Sequence, residues 1–105
     1  MNNTITDKTI ATEIFNQLGG KSFIAMTGAR NFCCDSNSLG FMLSSTMTKD
    51  RINFIKITLN VMDTYDIEFK NLRAGVIKEV SHIEGVYNDM LKSIIEDKTG
   101  LRLSL

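Results

Sequence analysis

The stretch INFIKITLNVMDTYDIEF, residues 52–69, determines the fold of this chain. In its first half, polar residues alternate with an apolar set: Ile55, Ile57, Leu59 and Val61. In its second half the apolar set is Tyr65, Ile67 and Phe69. A period of two is typical of a strand with one buried and one exposed face, so the stretch predicts a β-hairpin. The exposed face of the hairpin is predicted to carry Lys56, Thr58, Asn60, Asp66 and Glu68.

The loop of this hairpin must bring both apolar sets to one face of the sheet. A two-residue turn would set Leu59 opposite Asp66 and is therefore excluded. A three-residue loop, Met62–Thr64, satisfies the condition, but it sets Lys56 opposite Lys70 and offers no glycine. A five-residue loop satisfies the same condition, so the odd parity of the loop is predicted and its length stays open.

Helices are predicted near both ends of the chain. The first has an apolar stripe at four-residue spacing: Ile10, Ile14 and Leu18. Thr6 or Asp7 can cap its start, and Gly19–Gly20 ends it. The stripe of the last helix is Tyr87, Leu91, Ile94 and Ile95. Gly100 ends that helix after Lys98, and an alternating apolar tail is predicted to dock on the core: Leu101, Leu103 and Leu105.

Shorter runs between the helices are predicted to be strands: Ser22–Met26, Asn31–Cys34, Leu39–Leu43 and Val76–Ile83. Ser44–Asp50 is predicted to be a loop, and Glu84–Gly85 to break the last strand. The sequence thus predicts a single α+β domain, residues 1–105. It has an antiparallel sheet of four or five strands, with an N-terminal and a C-terminal helix packed on one face.

Composition limits the classes of function. The chain has 105 residues, with 12 basic and 12 acidic side chains, and neither sign forms a run. General nucleic-acid binders concentrate positive charge, so this balance disfavours them without excluding a patch made by folding. No stretch is apolar enough to span a bilayer and no signal-peptide pattern is present, so a cytoplasmic protein with no membrane partner is expected.

No residue pattern predicts catalysis, a cofactor or a metal site. Gly20–Ser22 resembles the end of a phosphate-binding loop, but it follows a helix where that motif requires a strand. His82 is the only histidine and is predicted to be a half-exposed strand residue. Cys33 and Cys34 are adjacent, which makes a disulfide between them strained, and one of them is predicted to be buried.

The segment Thr27–Phe32 combines small residues with an arginine and an amide. This combination suits contact with a partner or an anion, and it equally suits an ordinary tight connection. The candidate partner or phosphate contacts in the chain are Lys21, Arg30, Asn31, Lys49, Arg51 and Lys56.

Several segments together resemble a group of small uncharacterised proteins of bacteriophages, plasmids and integrated mobile elements. They are FIAMTGA-x-NF (residues 23–32), IKITLN (55–60), D-x-YD-x-x-F (63–69), VY-x-DML (86–91) and TGL (99–101). The resemblance covers roughly residues 14 to 105, nearly the whole chain. It implies an accessory protein of a mobile element, expressed inside a bacterial host.

A charge-balanced domain without a catalytic constellation, in that setting, is expected to bind a protein of the bacterial host. An inhibitor of a host defence system, such as a CRISPR nuclease, is one form of this expectation. The alternative is a nucleic-acid-associated factor in replication or transfer of the element, and an enzyme ranks third. A homodimer is compatible with all three.

Overall fold

The computed structural model describes residues 9–44 and 48–101. In chain order these residues form α1 (Thr9–Leu18), α2 (Lys21–Thr27), β1 (Arg30–Cys34), β2 (Ser38–Met42), β3 (Phe54–Leu59), β4 (Tyr65–Arg73), β5 (Val76–Val86) and α3 (Leu91–Thr99). Two short 3₁₀ turns, Lys49–Arg51 and Asn88–Met90, precede β3 and α3. Each strand pairs antiparallel with the next in chain order, which confirms the predicted α+β class.

The central hairpin joins β3 to β4 through a five-residue loop, residues 60–64. Ile57 lies opposite Ile67, and Leu59 lies opposite Tyr65. Both apolar sets therefore share one face of the sheet, as the parity argument predicts.

The structure selects the five-residue loop over the three-residue one. The prediction that Val61 continues the buried face is wrong, because β3 ends two residues earlier and Val61 lies in the loop. The longer loop shifts every pair, so that Lys56 lies opposite Glu68 where the shorter loop would have set it opposite Lys70. An attractive pair thus replaces a repulsive one on the outward face.

The core lies between one face of the sheet and a layer of helices. The sheet contributes Leu39, Phe41, Ile55, Ile57, Ile67 and Phe69, and the helices contribute Ala11, Ile14, Leu18, Phe23, Leu91 and Ile95. These side chains belong to one contiguous buried cluster. A buried side chain of the larger kinds stabilises the fold by about 1.5–3 kcal/mol relative to an exposed one. Both terminal helices cover the same face, as predicted.

The predicted strand Ser22–Met26 is wrong, because this segment lies in α2. Within α2 only Phe23 and Thr27 are buried, and their spacing of four residues is helical. Gly28 ends the helix with a left-handed φ of 72°, and its N–H donates to the carbonyl oxygen of Ile24 at 2.8 Å. A short, continuous apolar run does not distinguish a helix from a buried strand.

β5 continues through the predicted break at Glu84–Gly85 and ends at Val86. Gly85 has a φ of 71°, and the register with β4 shifts next to Tyr65. Such a bulge inserts a residue without ending the strand. As a result Val86 lies opposite Tyr65. The chain therefore leaves β5 at the end of the sheet that carries the 60–64 loop.

The C-terminal helix is confirmed, but it begins at Leu91 rather than at Tyr87, which is exposed. Gly100 ends it, and Leu101 is buried as predicted. Parts of some predictions lie outside the described residues: the caps Thr6 and Asp7, residues 45–47 of the predicted loop, and the tail residues Leu103 and Leu105.

The side chain of Asn53 extends the sheet where β3 has not yet begun. Its Oδ1 accepts a hydrogen bond from the Leu72 N–H at 2.7 Å, and its Nδ2 donates to the Leu72 carbonyl oxygen at 2.8 Å. The backbone N–H of Asn53 donates to the carbonyl oxygen of Lys70 at 3.0 Å. One amide side chain therefore supplies both hydrogen bonds of a strand pair at this end of β4.

We expect Asn53→Ala to lower the free energy of unfolding by about 1–3 kcal/mol, because Leu72 loses both partners at once. Urea unfolding measures this change. Asn37→Ala is the matched control, since the Asn37 amide makes one long contact, 3.5 Å, with the Leu59 carbonyl oxygen. The control should change stability by less than about 0.5 kcal/mol. Equal losses in the two variants would contradict the role given to Asn53.

Candidate functional site

A hydrogen-bond network centred on Asn60 holds the 60–64 loop. The Asn60 Oδ1 accepts from the backbone N–H of Met62 at 2.8 Å and from that of Thr64 at 3.3 Å. The Asn60 Nδ2 donates to Thr64 Oγ1 at 2.8 Å and to Asp66 Oδ1 at 3.0 Å. A side-chain amide that binds its own turn in this way fixes the path of the backbone, so the loop is ordered by the chain itself.

This ordered loop presents two apolar side chains to solvent. Val61 is 99% exposed and Met62 is 77% exposed. We call this pair the apolar tip. Because the loop backbone is fixed, the apolar tip stays outside the core in a defined position.

A cleft opens beside the apolar tip, with a volume of about 340 Å³. Three parts of the chain line it: α1, the loop end of the central hairpin and the segment after β5. Its residues are Glu13, Leu59, Asp63, Tyr65, Tyr87 and Asn88, and we call it the acidic cleft. Tyr65 is buried, whereas Tyr87 is 62% exposed. The cleft thus combines two carboxylates with aromatic and aliphatic surface.

The electrostatic character of the acidic cleft is visible at the Tyr65 hydroxyl. Burial raises the pKa of Tyr65 above its ordinary value, and the carboxylates of Glu13 and Asp63 raise it further. The side chain of Gln17 acts in the opposite direction. Both carboxylates therefore act on the same hydroxyl.

Charge is separated along the strands. Residues 57–69 and 80–91 run toward the apolar tip and contain no lysine or arginine, and their acidic residues are Asp63, Asp66, Glu68, Glu84 and Asp89. The opposite end of the sheet, which we call the basic end, carries Arg51, Lys70, Arg73 and Lys78 together with Asp50 and Glu79. The two sets meet at Glu68, whose Oε1 lies 3.1 Å from the Nζ of Lys70.

The candidate contacts predicted from sequence lie on four different elements. Arg51 lines a second cleft, of about 570 Å³, with Asp50, Asn71, Lys78, Glu79 and Val80. Two acidic and two basic residues line this cleft, so its charges balance. Lys49 donates through Nζ to the carbonyl oxygen of Asp97 at 3.0 Å and so serves to hold the end of α3.

The remaining candidates lie on other parts of the surface. Lys21 is exposed at the start of α2, and Lys56 is half-buried on the outward face of β3. Arg30 is exposed at the start of β1, an edge strand. Asn31 has a φ of 55°, and its Nδ2 lies 3.4 Å from Met42 Sδ. The structure does not unite these residues with Arg51 in one described cleft.

His82 lies between two carboxylates on β5. Its Nδ1 is 3.8 Å from Glu79 Oε1, and its Nε2 is 3.8 Å from Glu84 Oε2. The His82 side chain is 41% exposed, in agreement with the predicted half-exposed strand residue. Exposed ion pairs of this length contribute little to stability, and solvent screens their charges.

Cys33 and Cys34 are both exposed and carry free thiols, so the prediction that one is buried is wrong. β1 is an edge strand, so it has a neighbouring strand on one side only. Cys34 lines a shallow apolar groove of about 220 Å³ between α1, α2 and β1. Across residues 9–44 and 48–101, no three histidine, cysteine, aspartate or glutamate side chains converge on a metal site.

The sequence did not reveal the acidic cleft, because its residues come from three separate segments. Positive charge singled out the candidate contacts, whereas the cleft combines carboxylates with aromatic surface. A signal was present in Asp63, which is the one acidic residue in the hairpin loop. Without the sheet register, nothing connects it with Glu13 or Tyr87.

We expect Tyr65 to titrate above the ordinary phenol value of 10.0. The chain has two tyrosines, so in Tyr87→Phe the phenolate absorbance reports Tyr65 alone. The unfolded chain loses this proton near the ordinary value, while the folded chain keeps it. The contribution of Tyr65 to stability is therefore fully present below the pKa of the unfolded chain. It is lost as the pH rises through the pKa of the folded chain.

Asp63→Asn in the same background should move the Tyr65 pKa back toward the ordinary value, since it removes one carboxylate that raises it. An unchanged Tyr65 pKa in Asp63→Asn would contradict the action of the Asp63 carboxylate on this hydroxyl.

Comparison of the chain with known proteins identifies no relative. No protein-family model, no curated protein and no solved structure matches the chain. Among the helices of the described residues, none combines the length and apolar character needed to cross a membrane.

Proposed function

We propose that this chain is a non-enzymatic protein-binding factor that contacts its partner through the apolar tip and the acidic cleft. One observation carries the proposal. Val61 and Met62 are 99% and 77% exposed on a loop whose backbone is fixed by Asn60. Large apolar side chains held in a defined, exposed position gain free energy when a partner covers them.

The rigidity of the loop is what makes the apolar tip suitable for binding. A disordered loop would lose conformational entropy on association, and this cost reduces affinity. Here the hydrogen bonds of Asn60 with Thr64 and Asp66 already order the loop in the folded chain, so little further entropy is lost on binding. Methionine adds a flexible, polarisable side chain that adapts to the surface of a partner.

The alternative function, nucleic-acid binding, would use the basic end. Arg51 and Lys78 lie there beside one cleft, which favours contact with phosphate. Asp50 and Glu79 line the same cleft and would repel phosphate at close range. The balance of charge in that cleft is the reason we prefer the protein-binding function.

The resemblance to proteins of mobile elements supplies the setting of the proposal. In that setting the partner is a protein of the bacterial host, and the chain acts inside the host cell by occluding a surface of that partner. A component of a host defence system, such as a CRISPR nuclease, is one partner of this kind.

A photo-crosslinking residue in place of Met62, in bacterial host cells, tests the proposal. We expect one defined partner to be captured, because an apolar tip at the centre of an interface lies against the partner. Ile77 is the matched control position, since it is 63% exposed near the opposite hairpin turn. It should not capture that partner. The same products from both positions would contradict the proposal.

With the partner in hand, Met62→Asp should weaken its binding about tenfold or more, the loss of one well-packed apolar contact. Because Met62 is exposed, the free energy of unfolding should stay unchanged, which urea unfolding verifies.

Mobility-shift assays at low salt test the alternative. We expect no shift of DNA or RNA at low micromolar protein concentration. A salt-sensitive shift that is lost in Arg51→Ala combined with Lys78→Ala would favour the nucleic-acid function, because each phosphate contact adds to the salt dependence.

A further inference from the structure

We propose that the hairpin end docks a basic segment of its protein partner, with a lysine or arginine side chain in the acidic cleft and apolar neighbours on the apolar tip. This inference rests on the protein-binding function proposed above and names the chemistry of the partner. It assigns separate tasks to two adjacent parts of one surface, and those tasks can be tested separately.

The lining of the acidic cleft suits a long cationic side chain. Lysine and arginine carry a charged head on an apolar stem, and they bury the stem while the head remains paired. Glu13 and Asp63 supply carboxylates for the head, while Leu59 and Tyr87 supply surface for the stem. A tyrosine ring adds attraction for a cation that lies over its face. The volume, about 340 Å³, leaves room for one such side chain.

Charge complementarity extends beyond the cleft. Asp89 directly follows the cleft residue Asn88 in the 3₁₀ turn before α3. Asp66 lies on the outward face of the sheet, where its Oδ1 accepts a hydrogen bond from Asn60 Nδ2. Charges of one sign around a cleft concentrate its field and raise the rate at which an oppositely charged partner arrives. The same charges disfavour an acidic partner.

The apolar tip and the acidic cleft are held together by the backbone. Met62 and Asp63 are consecutive, so one faces solvent on the tip while the other lines the cleft. Asp63 keeps its position through a left-handed φ of 62° and an N–H that donates to the carbonyl oxygen of Asn60 at 3.2 Å. A partner segment with a cationic side chain next to apolar ones matches this order of features.

A second copy of this chain is the competing occupant. Its basic end carries Arg51, Arg73 and Lys78, with Val76 and Ile77 exposed nearby. A contact between that end and the hairpin end would be head-to-tail and would build open assemblies. A separate partner suits the cleft better, because acidic Asp50 and Glu79 interrupt the basic end of this chain.

Titration of the ¹⁵N-labelled chain with two tripeptides tests the inference by NMR. The probe is acetyl-leucine–arginine–leucine amide, and its matched control carries citrulline, which has nearly the same shape without the charge. We expect the arginine peptide to shift the amide signals of Asp63 and Asn88 with a Kd of about 1–10 mM, the affinity of one exposed ion pair with modest apolar contact. The citrulline peptide should bind at least about fivefold more weakly, the loss of that pair.

Variants separate the acidic cleft from general acidity. Glu13→Gln with Asp63→Asn should reduce the response to the arginine peptide to that of citrulline. The choice of asparagine preserves the left-handed backbone at position 63. Asp50→Asn with Glu79→Gln removes the same charge at the basic end and should leave binding unchanged. Urea unfolding of both variants confirms that they fold.

Three results would overturn the inference: equal responses to both peptides, no response to either peptide, or concentration-dependent assembly of the chain that disappears in Glu13→Gln with Asp63→Asn. The last, measured by sedimentation, would assign the cleft to a second copy. If Met62→Asp abolishes binding of the crosslinked partner while Glu13→Gln with Asp63→Asn does not, the proposed function stands and this inference fails. If neither change weakens that binding, the proposed function fails as well.

Discussion

The pairing of β3 with β4 in a single register is the constraint on which the rest of the structure depends. A shift by one residue would turn Ile57 and Ile67 out of the core, so burial fixes the parity of the pair. Burial does not fix the loop length, since three and five residues both satisfy it. The five-residue loop is the one that forms the network around Asn60 and sets Lys56 opposite Glu68.

The five-residue loop produces the candidate site as a consequence of this register. It places Tyr65 at the first position of β4, where its ring completes the core while its hydroxyl meets the charges of the acidic cleft. The bulge at Gly85 brings Val86 opposite Tyr65, and Tyr87 follows at the rim of the cleft. Glu13 reaches the same place from α1, whose opposite face packs into the core. One hairpin thus positions residues from distant parts of the sequence.

The sequence predicts the structural features that depend on periodicity. It does not predict those that depend on contacts between distant segments. The faces of the central hairpin and the end of α3 at Gly100 follow from spacing and turn chemistry. The helical state of Ser22–Met26 does not follow from spacing, because its apolar run lacks a period. The packing of Phe23 against the sheet, at Phe41, decides between helix and strand. The acidic cleft could not be predicted for the same reason, since its residues have no shared local pattern. Charge alone drew attention to Arg51 and Lys49, one in a charge-balanced cleft and the other holding α3.

The apolar tip is the one part of the hairpin that the requirements of folding do not explain. Val61, at 99% exposure, buries almost no surface, so its side chain contributes almost nothing to the hydrophobic stability of the fold. The backbone of the loop depends on Asn60 and on the left-handed residue Asp63, both of which are polar. Polar side chains at positions 61 and 62 would form the same turn and would lower the risk of aggregation. The proposed contact with a partner accounts for an apolar pair that folding does not need, on a loop that folding makes rigid. Under the same proposal, the carboxylates beside the pair call for a basic partner.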